Sequence, residues 1–228
     1  MPGRSLLDSL LALLFPERCA GCARLGALLC QDCCAALVPY PEELGRLPPS
    51  LTDVQIAFVF QSPLREAVHA FKYRCVRRLA RPFGALLAAH LAARPLAVDA
   101  VLPVPLHAGR LAERGFNQAE ALAREVARIV SLPLINDELV RVRATDQQAR
   151  LDARSRQENM RGAFAWGKSA PPPRSVLLVD DIITTGATMG ACAEALRNAG
   201  ADHVYGLALA RSRPDPPGGL GPGAAARR

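Results

Sequence analysis

The segment VLLVDDIITTGATM, from Val176 to Met189, constrains the fold of this 228-residue chain more than any other. It opens with the apolar run Val176–Val179, and a short, uninterrupted run of this kind is typical of a strand buried on both faces of a parallel sheet. Asp180 and Asp181 follow at once, although a charged carboxylate is costly to bury without a partner. We therefore expect both aspartates to bind a ligand at the carboxyl end of this strand.

A small polar loop follows the two acids and consists of Thr184, Thr185, Gly186, Ala187 and Thr188. It lies at the start of a predicted helix, where the first N–H groups have no partner within the helix and, with the helix dipole, favour bound phosphate. The aspartates would accept hydrogen bonds from sugar hydroxyls, so a phosphorylated ribose would satisfy both halves of the segment. The alternative is an ordinary capped turn whose aspartates face solvent.

Strand and helix patterns alternate along the chain and predict an α/β fold with a doubly wound parallel sheet. The predicted strands cover residues 54–60, 98–104, 176–179 and 203–210. The predicted helices cover residues 63–73, 79–93, 118–130 and 185–199. Pro82 should interrupt the second helix, Asn117 should cap the third, and Gly200 should close the fourth.

The chain divides into four predicted parts. They are an N-terminal helix with a cysteine module (1–38), a proline-rich linker (39–50), the α/β domain (51–210) and a tail (211–228). The tail is rich in proline, glycine and arginine, so we predict that it is disordered.

Four of the seven cysteines form two C-x2-C pairs separated by seven residues, namely Cys19, Cys22, Cys30 and Cys33. Each pair can hold one side of a tetrahedral ion, so the pattern predicts a small four-thiolate module that binds structural zinc. The alternative is that these are ordinary small buried residues. Cys34, Cys75 and Cys192 are interpreted as apolar packing residues, or as reactive thiols outside the site, and not as ligands.

Residues 6–15 form an apolar run without the small-residue cleavage site of a secretory signal, and the run is too short to span a bilayer. Leucines recur there at helical spacing, which predicts a short amphipathic helix. We expect a cytoplasmic protein without a membrane span or structural disulfides. The formal net charge of +7 favours anionic partners such as phosphates or nucleic acid.

A second motif, VLPVPLHAGRLAERGFNQAE, begins at Val101 with a strand pattern and continues into a basic turn. Prolines stiffen this turn, and arginine side chains suit the geometry of pyrophosphate. The candidate pyrophosphate-binding residues are Pro105, Leu106, His107, Arg110 and Arg114. The alternative is that the arginines form a solvated basic face.

A third segment, from Leu139 to Trp166, is strongly basic, and only its ends have strand patterns. We interpret it as a two-stranded flap with a mobile centre. Its candidate residues are Arg141, Arg143, Arg150, Arg154 and Arg156. The alternative is a solvated loop, or one that binds nucleic acid.

The segment VLLVDDIITTGATM resembles the motif with which type I phosphoribosyltransferases bind phosphoribosyl pyrophosphate (PRPP). The resemblance implies that Asp180 and Asp181 bind the ribose hydroxyls and that residues 184–188 bind the 5′-phosphate. It also implies that the turn after Val104 binds the pyrophosphate, that Mg²⁺ bridges ribose and pyrophosphate, and that the flap closes over PRPP to exclude water.

A narrower resemblance, to the ComF family, covers most of the chain. It rests on PVPLH…R…RGFNQ, on the four cysteines, and on a T…Q…L…R…N…GAF arrangement within residues 145–164. It implies a PRPP-binding protein that transfers phosphoribosyl to an unknown acceptor.

The alternative function is a non-catalytic accessory protein of competence and DNA uptake that binds single-stranded DNA or a helicase-like partner. Aromatic residues make up only 5% of the chain. Phe71, Tyr73 and Phe116 are too scattered in the sequence to predict a platform for stacking bases.

Overall fold

A computed structural model describes residues 17–41, 48–143, 160, 162–167 and 170–212. The predicted helix within residues 6–15 and the tail from residue 213 lie outside these ranges, as do Arg150, Arg154 and Arg156 of the predicted flap. None of the helices in the described ranges is long and apolar enough to cross a membrane.

The centre of the molecule is a parallel sheet of four strands. The strands in the described part of the chain are β1 (Asp53–Val59), β2 (Ala100–Pro103), β3 (Leu139–Arg141), β4 (Phe164–Trp166), β5 (Ser175–Ile183) and β6 (His203–Arg211). In the main sheet the order is β1–β6–β5–β2, and all three neighbouring pairs are parallel. Strands β3 and β4 pair separately as an antiparallel hairpin.

Helices cover both faces of the sheet, as the continuous apolar run of β5 predicted. The α-helices whose bounds fall within the described ranges are α1 (Gln31–Ala35), α2 (Leu64–Tyr73), α3 (Ala80–Ala93), α4 (Ala108–Arg114), α5 (Gln118–Val130) and α6 (Ala187–Asn198). Leu177 and Val179 of β5 face the core formed with α2, α3 and α5. Val176 and Leu178 face the opposite core, which α6 and the hairpin complete. The predicted doubly wound α/β fold is therefore confirmed.

Three elements differ from the sequence prediction. Strand β5 continues to Ile183, so both aspartates lie within the strand instead of after it. Residues 108–114 form the short helix α4, which was not predicted because its sequence contains glycine and arginines. Pro82 does not interrupt α3, because it lies in the first turn, where no intrahelical N–H bond is lost.

The cysteine module packs on the α2 side of the sheet. Cys19, Cys33 and Leu37 share one apolar core with residues of α2 and α3. The chain leaving the module then runs antiparallel to the edge of β1: the Val59 N–H donates to Val38 O at 2.8 Å, and the Tyr40 N–H donates to Ala57 O at 3.1 Å. The start of the predicted linker thus extends the sheet, while the domain boundaries themselves stay a prediction.

Candidate ligand site and cysteine cluster

Asp180 and Asp181 point to opposite faces of the sheet because successive side chains alternate along β5. On the α2 face, Asp181 Oδ1 accepts an ion-pair hydrogen bond from Lys72 Nζ at 2.9 Å. Both side chains are largely buried, with 9% of the aspartate and 16% of the lysine exposed. Asp181 is therefore held in one orientation as a carboxylate that a buried cation neutralises.

Asp180 faces the α6 side of the sheet and is half-buried. Burial, and after it the charge of Asp181, raises the pKa of this carboxyl to about 7, while Lys72 and Arg110 oppose the shift. One of its oxygens accepts a hydrogen bond from the Asp181 N–H at 2.8 Å. The two acids therefore differ in their surroundings: Asp181 pairs with a lysine, whereas Asp180, with its pKa of about 7, gains or loses its proton near neutral pH.

The loop after β5 forms the mouth of helix α6. Gly186 precedes the first helical residue with φ of +79°, a left-handed conformation that favours glycine. The Ala187 N–H lies 3.4 Å from Thr185 Oγ1, and Thr184 O accepts a hydrogen bond from Arg211 Nε at 3.0 Å. The next N–H groups of the first turn have no acceptor within the helix, so they remain available to an anion at the carboxyl edge of the sheet.

Pro48 closes one side of this mouth. A Cβ at Gly186 would lie 3.4 Å from two carbons of the Pro48 ring, and a Cβ at Gly190 would lie only 2.6 Å from Pro48 Cβ. Ser50 Oγ donates to Gly190 O at 2.8 Å and fastens the same segment to α6. The glycines of the loop and the first turns of the helix thus allow the chain before β1 to approach the candidate phosphate site.

The five candidate pyrophosphate-binding residues do not form one surface. Pro105 and Leu106 are half-buried, as is Arg110, which is close enough to Asp180 to lower its pKa. His107 caps α4, because its Nδ1 accepts the Gly109 N–H at 3.1 Å. Arg110 is therefore the member of this set whose charge acts on Asp180.

Arg114, the fifth candidate, is only 7% exposed. Its Nη1 donates to Gln118 Oε1 at 2.8 Å, and its guanidinium lies 5.1 Å from the centre of the Tyr73 ring. The structure thus places Arg114 in the contact between α2 and α5, where it supports packing.

The RGFNQ sequence builds the turn between α4 and α5. Gly115 ends α4 with φ of +69°, and Phe116 packs edge-on against Phe71 at 5.3 Å. Asn117 caps α5 through the Ala119 N–H at 3.0 Å and donates to Val104 O at 3.1 Å. This motif ties the carboxyl end of β2 to the helices that cover it.

Of the predicted flap, the structure describes mainly the two ends, strands β3 and β4 with their flanking residues, which we call the stem. Strands β3 and β4 pair antiparallel, as expected for its two ends. Burial, foremost, lowers the pKa of Arg141, whose guanidinium lies 5.5 Å from the centre of the Phe164 ring. A cavity of about 460 Å³ separates the stem from the α4 turn, and its lining includes His107, Asn117, Arg141 and Arg143. Arg141 and Arg143 thus face the same cleft as the candidate pyrophosphate turn.

The four candidate metal ligands converge in the cysteine module. The sulfur atoms of Cys19, Cys22, Cys30 and Cys33 all lie within 4.8 Å of one another. The Cys19–Cys33 and Cys22–Cys30 sulfur pairs are each 3.6 Å apart, far longer than a disulfide bond of about 2.0 Å. Sulfurs on a tetrahedral zinc, each about 2.3 Å from the metal, lie about 3.8 Å apart. The cluster could therefore hold a metal ion.

The surroundings of the cluster favour thiolate at one ligand. Burial raises the pKa of the Cys19 thiol, but hydrogen bonds from the backbone of Cys30, Cys22 and Gly21 outweigh it and lower the pKa to about 6. The Cys30 N–H, for example, lies 3.3 Å from Cys19 Sγ. Backbone N–H groups directed at a sulfur are what a metal-binding thiolate needs.

Lys72 is the residue at this site to which the sequence assigned no role. It is the one lysine within α2 and lies between Phe71 and Tyr73. A cation at the end of an amphipathic helix is usually a solvated residue that complements the helix dipole. Only the packing of α2 on the sheet brings Lys72 to Asp181, so its sequence position alone carried no usable signal.

Comparison with known proteins gives two kinds of match. A sequence profile of the phosphoribosyl transferase domain matches residues 111–216. Competence protein F of Haemophilus influenzae is 32% identical over 208 residues, which cover 85% of this chain and 90% of that protein. The DNA utilization protein YhgH of Escherichia coli O6:H1 is 30% identical over 203 residues, which cover 85% of this chain and 88% of that protein.

A more distant relative is competence protein ComFC of Streptococcus pneumoniae. It is 26% identical over 205 residues, which cover 90% of this chain and 85% of that protein. This chain is thus similar, over most of its length, to proteins named for competence and for DNA utilization.

Proposed function

Because this chain belongs to the ComF family of competence proteins and contains a phosphoribosyltransferase domain, we propose that it binds PRPP, or another phosphorylated ribose, with Mg²⁺. One observation carries the proposal: a buried parallel strand delivers two carboxylates to the open end of the sheet and leads directly into a helix mouth with available N–H groups. Open α/β sheets bind ligands at this edge.

In the proposed complex, Asp180 and Asp181 accept hydrogen bonds from the ribose hydroxyls. The loop Thr184–Thr188 binds the 5′-phosphate through its backbone N–H groups and threonine hydroxyls. Arg110 and the stem residues Arg141 and Arg143 carry the positive charge that attracts the pyrophosphate. Arg150, Arg154 and Arg156 stay predicted members of the flap.

Asp180 and Asp181 are the residues that would hold Mg²⁺, and the ion would supply positive charge that stabilises the leaving pyrophosphate. The two carboxylates fit such an ion, because Mg²⁺ prefers oxygen ligands and retains several of its waters. The chain's own contribution to transfer would be to orient the ribose and to exclude water, which otherwise captures the reactive sugar cation. We propose that transfer to an acceptor follows, with the acceptor supplying the nucleophile.

Calorimetric titration of the full chain with PRPP and Mg²⁺ tests this function. We expect saturable heat for the wild type and none for Asp180→Asn/Asp181→Asn, because each amide lacks the negative charge of the carboxylate and replaces one of its two acceptor oxygens with a donor NH2 group. Asp202→Asn is the matched control, since this exposed aspartate pairs only with Arg174 at 3.4 Å and lies at the other end of β6 from the site. No heat and no thermal shift with the wild type would refute the proposal.

We further propose that the ion in the cysteine cluster is a structural zinc. The donor set supports this choice, because four thiolates in a tetrahedral arrangement suit zinc. The fold brings both cysteine pairs together, so four thiolates would fill all the positions around a tetrahedral ion. The module therefore has no open position for a substrate. A cytoplasmic location stays a prediction from the cysteine content.

A second function, in the handling of DNA, is favoured by the names of the relatives and by the basic character of the chain. The relatives are called competence proteins and DNA utilization proteins. Their names support a role in DNA uptake or use for this chain, with single-stranded DNA and a helicase-like protein as the proposed partners. The excess of cations over anions makes contact with phosphates favourable.

A further inference from the structure

The longest acid-free part of the chain lies far in sequence from the candidate sugar site. No aspartate or glutamate occurs between Ala67 and Val98, whereas this stretch contains one lysine and five arginines. Most of these cations fall where α2 ends, the short 3-10 helix Arg77–Leu79 follows, and α3 begins. We call this region the α2–α3 corner and define it as Tyr73, Arg74, Arg77, Arg78 and Arg81, all of which are exposed.

Little in the described part of the chain neutralises the corner. Arg78 pairs with Glu17 of the cysteine module, yet its side chain remains 70% exposed. Arg77 donates to a backbone oxygen, that of Gly115. Within the described ranges, Arg74 and Arg81 have no carboxylate partner. Four arginines therefore face one acid.

The backbone adds to this positive potential. The first turn of α3 contains no acid, and no side chain caps its N-terminus. Helix N-termini carry a partial positive charge, which proteins commonly balance with aspartate, glutamate or a bound anion. Here Arg77, Arg78 and Arg81 increase that charge. Such an arrangement raises the free energy of the isolated protein and is relieved when an anion binds.

The corner also contains an aromatic side chain that is open to solvent. Tyr73 is 54% exposed and is the only exposed phenylalanine, tyrosine or tryptophan among the described residues. The ring of His69 lies 4.5 Å from it, and the guanidinium of Arg114 lies 5.1 Å from it. These two neighbours hold the ring in place and leave more than half of the side chain free for a further contact.

The fold gathers aromatic residues that the sequence scatters. Phe71 packs against Phe116 at 5.3 Å beneath the corner, and Arg77 lies over the Phe116 ring at 5.0 Å. Arg77 and Tyr73 are thereby mounted on a rigid aromatic base. Among these three aromatic residues, Tyr73 is the one whose ring is exposed to solvent.

We propose that the α2–α3 corner is a binding surface for single-stranded DNA, with its arginines on the phosphates and Tyr73 stacked on a base. Arginine contacts phosphate in bidentate fashion, and an exposed aromatic ring among cations is the arrangement that holds an unpaired strand. A membrane surface fits less well, because binding to lipid needs an apolar face and Tyr73 is the exposed large apolar residue of the corner. The choice of DNA rests on the DNA-handling function proposed above.

Fluorescence anisotropy with a labelled 20-nucleotide oligo-dT tests the phosphate contacts in the full chain. We expect Arg74→Gln/Arg81→Gln to weaken binding about tenfold at low salt. Its plot of log affinity against log salt should be shallower by about 1.4, since each phosphate contact to a single strand contributes about 0.7. Arg124→Gln/Arg174→Gln is the matched control, because these side chains are 61% and 87% exposed and lie outside the corner.

A second pair of variants separates stacking from charge. We expect Tyr73→Ala to weaken binding about 5- to 100-fold without changing the salt slope, because loss of stacking removes no ionic contact. Tyr73→Phe retains the ring and should bind within about twofold of the wild type. Melting temperatures of both variants check that the corner remains folded.

The proposal is overturned if the wild type does not bind oligo-dT at low salt, or if the control pair loses as much affinity as the corner pair. It is also overturned if phosphatidylserine vesicles bind at the corner and oligo-dT does not. PRPP titrations run in parallel keep the two functions apart. The corner variants should retain the heat of PRPP binding, and Asp180→Asn/Asp181→Asn should retain DNA binding.

Discussion

Lys72 Nζ lies 2.9 Å from Asp181 Oδ1, and this buried ion pair joins the end of α2 to the carboxyl end of β5. The pair neutralises one of the two acids of the candidate sugar site before any ligand binds. The other acid, Asp180, lies on the opposite face of the sheet, and its pKa is raised to about 7. The difference between two adjacent aspartates thus arises from which face of the sheet each one occupies.

Replacing Lys72 should destabilise the protein through Asp181. In Lys72→Met the carboxylate would remain buried without its cation, and breaking a buried pair on one side typically costs about 3–5 kcal/mol. We expect the free energy of unfolding, measured by urea titration, to fall by about 3 kcal/mol at pH 7.

A double variant distinguishes this cause from simple loss of packing. Lys72→Met/Asp181→Asn removes both charges, so it should recover more than half of the stability lost in the single variant. A single variant that loses less than about 1 kcal/mol would show that solvent reaches the pair, which then contributes as little as a surface ion pair.

The raised pKa of Asp180 predicts a specific dependence of stability on pH. A folded-state pKa of about 7, against an unfolded value near 4, means that the folded protein binds this proton more tightly than the unfolded chain. The stabilisation is complete below about pH 4 and is lost as the pH rises to 7. Relative to Asp180→Asn, which does not titrate, the wild type should lose about 3 kcal/mol between pH 4.5 and 8.

Parallel urea titrations at several pH values measure this difference, because other titrating groups cancel between the two proteins. Asp202→Asn, at an exposed carboxyl, is the control and should follow the wild type. A difference between wild type and Asp180→Asn that stays flat from pH 4.5 to 8 would contradict the shift.

Removing the metal should loosen the cysteine module. We expect about one zinc ion per purified chain. A strong chelator should lower the melting temperature by about 5–10 °C, because an ion that binds the folded module and not the unfolded chain adds its binding free energy to the stability of the fold. Cys30→Ser should lose the zinc. Cys75→Ser should keep it, since Cys75 lies outside the cluster and donates to Arg114 O at 3.4 Å. Metal-free wild type with the same melting temperature would argue against a structural ion.

Gly190→Ala should disturb the segment that borders the phosphate loop. Its Cβ would lie 2.6 Å from Pro48 Cβ and 2.9 Å from Pro48 Cγ, and a proline ring cannot rotate away. Overpacking costs about 1–3 kcal/mol, and the better helix propensity of alanine returns up to about 1 kcal/mol. We expect a net loss of about 1 kcal/mol in unfolding free energy.

The double variant Gly190→Ala/Pro48→Gly is the control for that contact, because it removes the proline carbons that the new methyl group meets. The unfolding free energy that it loses should be smaller than the sum of the losses in the two single variants. Additive effects would mean that residues 48–50 are not held against α6.

Local sequence predicted the main elements well where one pattern dominates. The helix Gln118–Val130 and its Asn117 cap are found as predicted, because an amphipathic repeat and a capping side chain act over a few residues. The cluster of four cysteines was predicted equally well, since the spacing within each pair decides which sulfurs can converge. Helix α4 was missed because its glycine and arginines do not form an apolar stripe.

The sequence did not predict roles that depend on which face of a helix or strand a side chain occupies. Arg114 and Arg110 look alike in the sequence, yet one packs between helices and the other acts on Asp180. Tyr73 and Phe116 are distant in sequence, and only the packing of α2 on α5 brings their side chains to one region.

The order of residues alone determined that this chain forms a parallel α/β sheet with two acids and a glycine loop at one strand end, because alternation and apolar runs are local properties. It likewise determined the four-sulfur cluster. Tertiary structure decided that Asp181 pairs with Lys72 while Asp180 lies on the other face of the sheet, that Arg114 is buried, and that five residues form an exposed basic corner. These outcomes depend on contacts between segments far apart in the chain, and only the packing of helices on the sheet sets the distances between such segments.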